Sequence, residues 1–169
     1  MSHQEHRREA PSQVGCAVIT VSDTRDESTD KSGQLIKSLL EEKGHCIVQY
    51  RIVRDEPLQI KGELAMLVQN SAVQAIILNG GTGIAPRDTT YDTLDRLLEK
   101  RLDGFGEIFR YLSYQEIGPS AILSRAVAGT YQRRIVISIP GSTAAVRLAM
   151  EKLILPELGH MVGQVRRVG

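Results

Sequence analysis

The sequence predicts an α/β sandwich with a largely parallel central sheet. Three observations carry this prediction. Apolar runs of strand length alternate with amphipathic helical segments, the connections between them are short, and the main strand-length runs are apolar throughout instead of alternating with polar residues. A strand that is apolar at every position is covered on both faces, which calls for helices on either side of the sheet.

Gly15-Cys-Ala-Val-Ile-Thr-Val21 is the first such strand. A polar stretch leads from it into a helix over 32–42, where Leu35, Ile36, Leu39 and Leu40 share one face. Asp30 or Ser32 caps its start, and Lys43-Gly44 closes it in the manner of a C-terminal glycine. The second strand covers 46–53. Asp55-Glu-Pro57 then opens a helix with Ile60, Leu64, Leu67 and Val68 at helical spacing, Pro57 being tolerated in the first turn. A third strand follows over 75–79. Beyond it, 91–100 and 105–115 read as helices, 134–139 as another buried strand and 143–158 as a long final helix, while 128–131 is too short to assign. No internal repeat or linker divides the chain, so 14–169 reads as one domain behind a flexible polar tail, 1–13.

With 41% hydrophobic residues, 24% charged residues and a net charge of +1, the composition is that of an ordinary globular protein. It supplies no bulk electrostatic basis for nucleic-acid binding. Every hydrophobic run falls short of the roughly 18 residues of a membrane span, and 1–13 lacks the apolar core of a secretory signal. A cytoplasmic location with no membrane partner is expected. Cys16 and Cys46 have neither a CxxC spacing nor a suitable adjacent histidine, and read as buried free thiols.

Ligands of open α/β sheets bind at the carboxyl ends of the strands. Three strands here lead into loops rich in carboxylates, hydroxyls or glycine: Ser22-Asp23-Thr24-Arg25, Arg54-Asp55-Glu56, and Gly80-Gly81-Thr82-Gly83. Three glycines in four residues leave main-chain amides uncovered and permit positive φ, so successive N–H groups can curve around a phosphate. The alternative is a tight turn. Pro86 then stiffens the loop, and Arg87 and Asp88 add a cation and a carboxylate beside the cradle. A lone carboxylate there would repel a phosphate, whereas Mg²⁺ between them takes oxygens from both. Asp55 and Asp88 each retain a second reading as helix caps. Pro140, Gly141 and Ser142 start the last helix and offer either an anion contact or a simple turn. Ser124 and Arg125 supply either a phosphate clamp or a solvated surface pair.

As an ordered set, Thr20-Val-Ser-Asp-Thr-Arg25, Asp30 with Ser32-Gly33, Asn79-Gly-Gly-Thr-Gly83 with Pro86-Arg87-Asp88, Gly104-Phe-Gly-Glu107, Leu123-Ser-Arg125 and Pro140-Gly-Ser142 resemble the MoaB/Mog family, which includes a domain of gephyrin and of plant Cnx1. The resemblance runs from about Gly15 to the last residue. It implies a three-layer α/β/α fold, a homotrimer or homohexamer, molybdopterin and ATP as ligands, and adenylylation of molybdopterin by Mg-ATP within molybdenum cofactor biosynthesis. Other cofactor-assembly proteins are implied as partners. The matching carboxylates, Asp55 and Asp88, are those implicated in catalysis in that family, and the loop of Gly80, Gly81, Thr82 and Gly83 contributes to the pterin or nucleotide phosphate site. Ser22, Asp23 and the loop from Pro140 to Ser142 are expected to complete the crevice. Thr90 is followed by Tyr91 where the Mog branch has Thr-Pro, which brings the chain closer to MoaB. Two readings follow, a molybdopterin adenylyltransferase and a non-catalytic molybdopterin carrier or scaffold.

Overall fold

The computed structural model describes residues 10–167. Its six strands form one sheet in the order β2-β1-β3-β6-β5-β4. Strands β1 (Gly15–Val21), β2 (Cys46–Val53), β3 (Ala75–Asn79) and β6 (Arg134–Ile139) run parallel. Strands β5 (Val127–Tyr131) and β4 (Lys100–Arg101) add an antiparallel margin.

Alternate residues of the parallel strands enter two separate cores. Cys16, Val18, Ile77, Ile135 and Ile137 face one side with Ile36 and Leu40 of α1 (Lys31–Glu42), Phe109 of α4 (Asp103–Ile117), Val146 of α5 (Thr143–Ala149) and Leu158 of α6 (Leu155–Arg166). Ala17, Ile19, Ile76, Leu78 and Val136 face the other side with Ile60 and Leu64 of α2 (Pro57–Leu67) and Leu94 of α3 (Thr90–Leu97). This two-sided burial gives three layers, and it is why these strands are apolar at consecutive positions.

Asp30 is the cap of α1, its carboxylate accepting from the Gly33 N–H at 3.0 Å. Ser32, the other candidate, instead donates to the Gly141 carbonyl. The predicted helix over 91–100 ends at Leu97, because Lys100 and Arg101 pair with Thr130 and Gly129 as β4. Residues 128–131, too short to assign, lie in β5. The turn from β5 into β6 carries Gln132 and Arg133 at φ 43° and 61°. Two consecutive left-handed residues make this tight hairpin turn, but Gln-Arg lacks the Asn-Gly signature that announces it.

The final helix extends past 158. It widens into a π turn at Met150–Ile154 before continuing as α6 to Arg166. Pro156 brings no N–H for the carbonyl one turn back and its ring crowds that carbonyl, so the wider turn absorbs the mismatch. Cys16 is buried and its thiol is pushed up to about 12 by burial. Cys46 is exposed, contrary to its reading as buried, because it opens the edge strand β2. Of the expected tail, 1–9 lies outside the described residues. Pro11 lies against Gly159, where an added Cβ would stand 2.3 Å from the Pro11 carbonyl oxygen. Among the described residues no helix is long and apolar enough to cross a membrane.

Ile137 sits fully buried on the strand between β3 and β5. Ile137→Ala should lower the stability by about 2–5 kcal/mol, read from urea unfolding midpoints at unchanged m-value.

Candidate functional site

Strand register brings the chemically rich loops together. Thr20 pairs with Asn79, Asn79 with Ile139, and Val21 with Val53, so four parallel strands end at one level. Past those ends the backbones stay joined: the Ser22 N–H donates to Val53 O at 2.9 Å and the Gly80 N–H to Ile139 O at 3.0 Å. Gly80 has φ +98°, and a Cβ there would meet the Val21 carbonyl oxygen at 2.3 Å. A Cβ on Gly141 would lie 3.2 Å from the Gly80 Cα. Glycine is therefore required at position 80, and Gly141 packs closely on it where the loops after β1, β3 and β6 cross.

Below the next glycine lies a carboxylate. Asp55 is only 5% exposed. Its carboxylate accepts from the Thr89 N–H at 3.1 and 3.2 Å, the Thr89 hydroxyl at 2.6 Å and the Thr90 hydroxyl at 3.0 Å. The capping role expected ahead of Pro57 is not realised, since α2 has Glu56 as its cap residue and no side-chain cap bond. Asp55 instead serves the start of α3, thirty-four residues along the chain. Gly81 has φ +67°, and a Cβ there would stand 2.4 Å from Asp55 Oδ2 and 2.2 Å from the Thr90 hydroxyl. Asp88 is placed in the same way beneath Gly83, whose Cβ would stand 2.5 Å from Asp88 Oδ2. Asp88 does not cap α3 either. Its Oδ2 accepts from the Ala85 N–H at 3.2 Å.

Two guanidinium groups tie the loops from outside. Arg87 grips Asp23 with Nε at 2.7 Å and Nη2 at 2.9 Å, and reaches Glu56 with Nη1 at 2.8 Å. The loops after β1, β2 and β3 are thus joined by one residue. The Arg87 hydrogen bonds hold the Asp23 carboxyl below the ordinary carboxylate range. Arg125 donates to the carbonyls of Thr82 at 2.9 Å and Gly83 at 2.5 Å, pairs with Asp92 and lies over the Tyr91 ring. Its guanidinium fixes the glycine loop by the carbonyl side. Beside Asp88 and Arg125 opens a cleft of about 640 Å³, lined also by Lys61, Pro86, Asp92 and Arg96.

A family model described as a probable molybdopterin binding domain matches residues 17–160. The chain belongs to this MoaB/Mog family of molybdenum cofactor biosynthesis proteins. It is 54% identical to the molybdenum cofactor biosynthesis protein B of Halalkalibacterium halodurans over 166 residues, 98% of either chain. It is also 54% identical to that of Bacillus subtilis (strain 168) over 168 residues, 99% of either chain. A crystal structure of a molybdenum cofactor biosynthesis protein B superposes with a TM-score of 0.91 at 50% identity, covering 95% of this chain and all of the other.

In this molybdopterin-binding fold the residues singled out from the sequence do not form one cluster of free groups. Asp55, Asp88 and Gly80, Gly81, Thr82 and Gly83 come together, with Thr82 buried. Asp23 and Arg87 sit at the rim and neutralise each other. Ser22 turns its hydroxyl to the N–H groups of Thr24 and Arg25, and Ser142 caps α5 by accepting from the Ala145 N–H. Gly141 after Pro140 packs on Gly80. Ser124 ends the 3-10 turn Gly118–Leu123 that precedes Arg125.

Five further residues not expected at the site, Arg25, Asp30, Ser32, Tyr50 and Asn79, hold its loops together. Arg25 and Ser32 both donate to the Gly141 carbonyl, and Asp30 accepts from the Tyr50 hydroxyl. Asn79 donates to the Thr20 hydroxyl at 2.9 Å, while its own Oδ1 is buried without a partner among the described residues. The motif set contains four of the five, and the tertiary contacts give each its task.

The Arg87–Asp23 pair makes stability depend on pH in a defined direction. A folded value below the unfolded one means that its contribution is complete above the ordinary carboxylate value, about 4, and is lost as pH falls through the lowered folded value. The Tm difference between wild type and Arg87→Ala should therefore be small, because the pair is largely exposed. It should hold steady from pH 7 to pH 5 and shrink toward pH 2; a difference that widens in acid contradicts the assignment.

Proposed function

We propose that this chain binds molybdopterin at the carboxyl ends of β1, β2, β3 and β6 and adenylylates it with Mg-ATP, giving adenylyl-molybdopterin and pyrophosphate. The observation that carries this reading is the stacking of Gly81 over Asp55 and of Gly83 over Asp88. A glycine-rich loop and two carboxylates occupy one place, and neither carboxylate caps the helix next to it in sequence.

The residues fit magnesium in a restricted sense. Among the described residues no group of three or more His, Cys, Asp or Glu could hold a metal alone. Mg²⁺ binds through one or two carboxylates together with substrate phosphates, so Asp55 and Asp88 would hold it only with the nucleotide. There it would neutralise charge on the phosphate oxygens. A terminal phosphate oxygen of the pterin attacks the α-phosphorus of ATP, the new P–O bond forms, and the bond to pyrophosphate breaks. Such transfer asks of the chain positioning and charge stabilisation. The glycine loop supplies main-chain N–H groups, Arg125 fixes that loop, and Arg87, itself paired with Asp23 and Glu56, ties the surrounding loops together.

One observation favours the carrier reading. The Asp55 carboxylate is already engaged by three groups of Thr89 and Thr90, which suits a purely structural role. Incubating the purified protein with molybdopterin, Mg²⁺ and ATP, while following adenylylated pterin and pyrophosphate, separates the two. Turnover in wild type that drops at least tenfold in Asp55→Asn and in Asp88→Asn is expected. Pterin binding without turnover would leave the carrier.

Self-association into a homotrimer or homohexamer belongs to the same proposal. Ile108, Tyr111, Ile117, Ile122 and Leu123, on α4 and the 3-10 turn, are all half or more exposed. Clustered apolar surface of this kind marks a contact face. Light scattering should give a mass of three or six chains, falling on Tyr111→Glu with Ile122→Glu; a monomeric wild type would sink the assignment.

A further inference from the structure

We propose a second anion site at the amino ends of β3 and β6, where Arg133, Arg134 and Arg166 line a cavity that takes a phosphate-class oxyanion. The cavity has a volume of about 230 Å³ and is completed by Ser71, Val73 and Gln74. Gln74 precedes β3 and Arg134 begins β6. The five residues of β3, at about 3.3 Å each, separate this place from the strand-end crevice, so one phosphate cannot occupy both.

Three arginines without a carboxylate partner among the described residues share this one cavity. Arg87, Arg101, Arg125 and Arg147 each pair with a carboxylate. Arg133, Arg134 and Arg166 have none within ion-pair distance among the described residues. Their partners are neutral carbonyls. Arg133 donates to Arg166 O at 3.4 Å, and Arg134 to Val68 O at 3.0 Å, Asn70 O at 3.5 Å and Gln132 O at 3.1 Å.

Some of these carbonyls belong to the ends of α2 and α6, and a helix C-terminus carries about half a negative charge. Among the described residues, two such ends leave roughly two of the three positive charges uncompensated. In addition, Arg134 Nε is buried with no acceptor. An unmet buried donor costs free energy that an anion would return.

The chemistry selects the ligand. Guanidinium forks match the oxygens of phosphate and similar anions. The volume lies below the roughly 300–1,000 Å³ of pockets for larger organic ligands, so free phosphate or the terminal phosphoryl of a small phosphomonoester fits.

The test uses full-length, nitrogen-15-labelled protein titrated with inorganic phosphate at constant ionic strength. Saturable shifts of the Ser71, Arg133, Arg134 and Arg166 amides are expected, with the dissociation constant rising at least tenfold in Arg166→Gln and in Arg133→Gln and unchanged in Arg87→Ala. Glycerol phosphate in a parallel arm separates the sources: equal or tighter binding assigns a phosphomonoester, weaker binding assigns the free ion, and either supports the site. Linear shifts, an equal response to acetate, or no effect of either arginine variant would overturn it. The amides followed all lie at the opposite end of β3 from the crevice, so failure here leaves the proposed reaction untouched.

Discussion

Much of this structure is arranged around the burial of one carboxylate. Asp55, at 5% exposure, lies where an unsatisfied carboxylate would cost several kcal/mol. The Thr89 N–H and the hydroxyls of Thr89 and Thr90 meet it, and hydrogen bonds to charged groups are worth about 1.5–3 kcal/mol each. Satisfying Asp55 therefore docks the start of α3 onto the end of β2. Once that contact is made, Gly81 has no room for a side chain, because its Cβ would enter the same cluster. The glycine loop is glycine-rich on its inner side because a carboxylate lies under it, quite apart from any ligand on its outer side.

The parallel register converts that local cluster into a four-loop site. Had β3 slipped by one residue against β1, Ile76 and Leu78 would exchange faces with Ala75 and Ile77, and both cores would be lost. The pairing of Thr20 with Asn79 and Asn79 with Ile139 is thus enforced by burial. It carries the loops beyond these strands to within backbone contact. Gly80 and Gly141 then allow the contact to be made without side chains between them.

This explains what was legible in the sequence. The strands over 15–21, 46–53, 75–79 and 134–139 have the bounds expected, because runs of apolar residues between polar loops define them sharply. Strands β4 and β5 did not stand out, since their hairpin turn uses Gln132 and Arg133 in place of glycine or asparagine. The helix expected over 91–100 ends earlier because, although Leu97 and Leu98 keep its apolar pattern, pairing with β5 decides the chain's direction after them. At the site, the glycine loop and the two carboxylates stand out as loop motifs, and the structure sets Asp55 beneath Gly81 and Asp88 beneath Gly83. The partner of Asp55 was not. Sequence proximity points to α2, and only the folded chain shows that α3 takes it. The same holds for Arg25 and Ser32, whose shared acceptor, the Gly141 carbonyl, lies 116 and 109 residues away.

A parallel α/β layer is also electrically polar, and this bears on both proposed sites. Helices α1, α2, α3 and α5 begin just beyond the strand ends that form the crevice, so their N-termini bring partial positive charge there. The carboxylates of Asp23, Asp30, Asp55, Glu56 and Asp88 gather at that end, and Arg25 and Arg87 compensate only some of them. A phosphate entering next to Asp55 and Asp88 would meet repulsion that helix ends alone offset weakly, since each is worth about 0.3–1 kcal/mol. A divalent cation shared by carboxylate and phosphate removes that conflict, which is why the proposed reaction is tied to Mg-ATP and not to ATP alone. At the opposite end the polarity is reversed. The C-termini of α2 and α6 attract Arg133 and Arg134, but two half charges cannot balance three guanidinium groups, and the excess is what an oxyanion would answer.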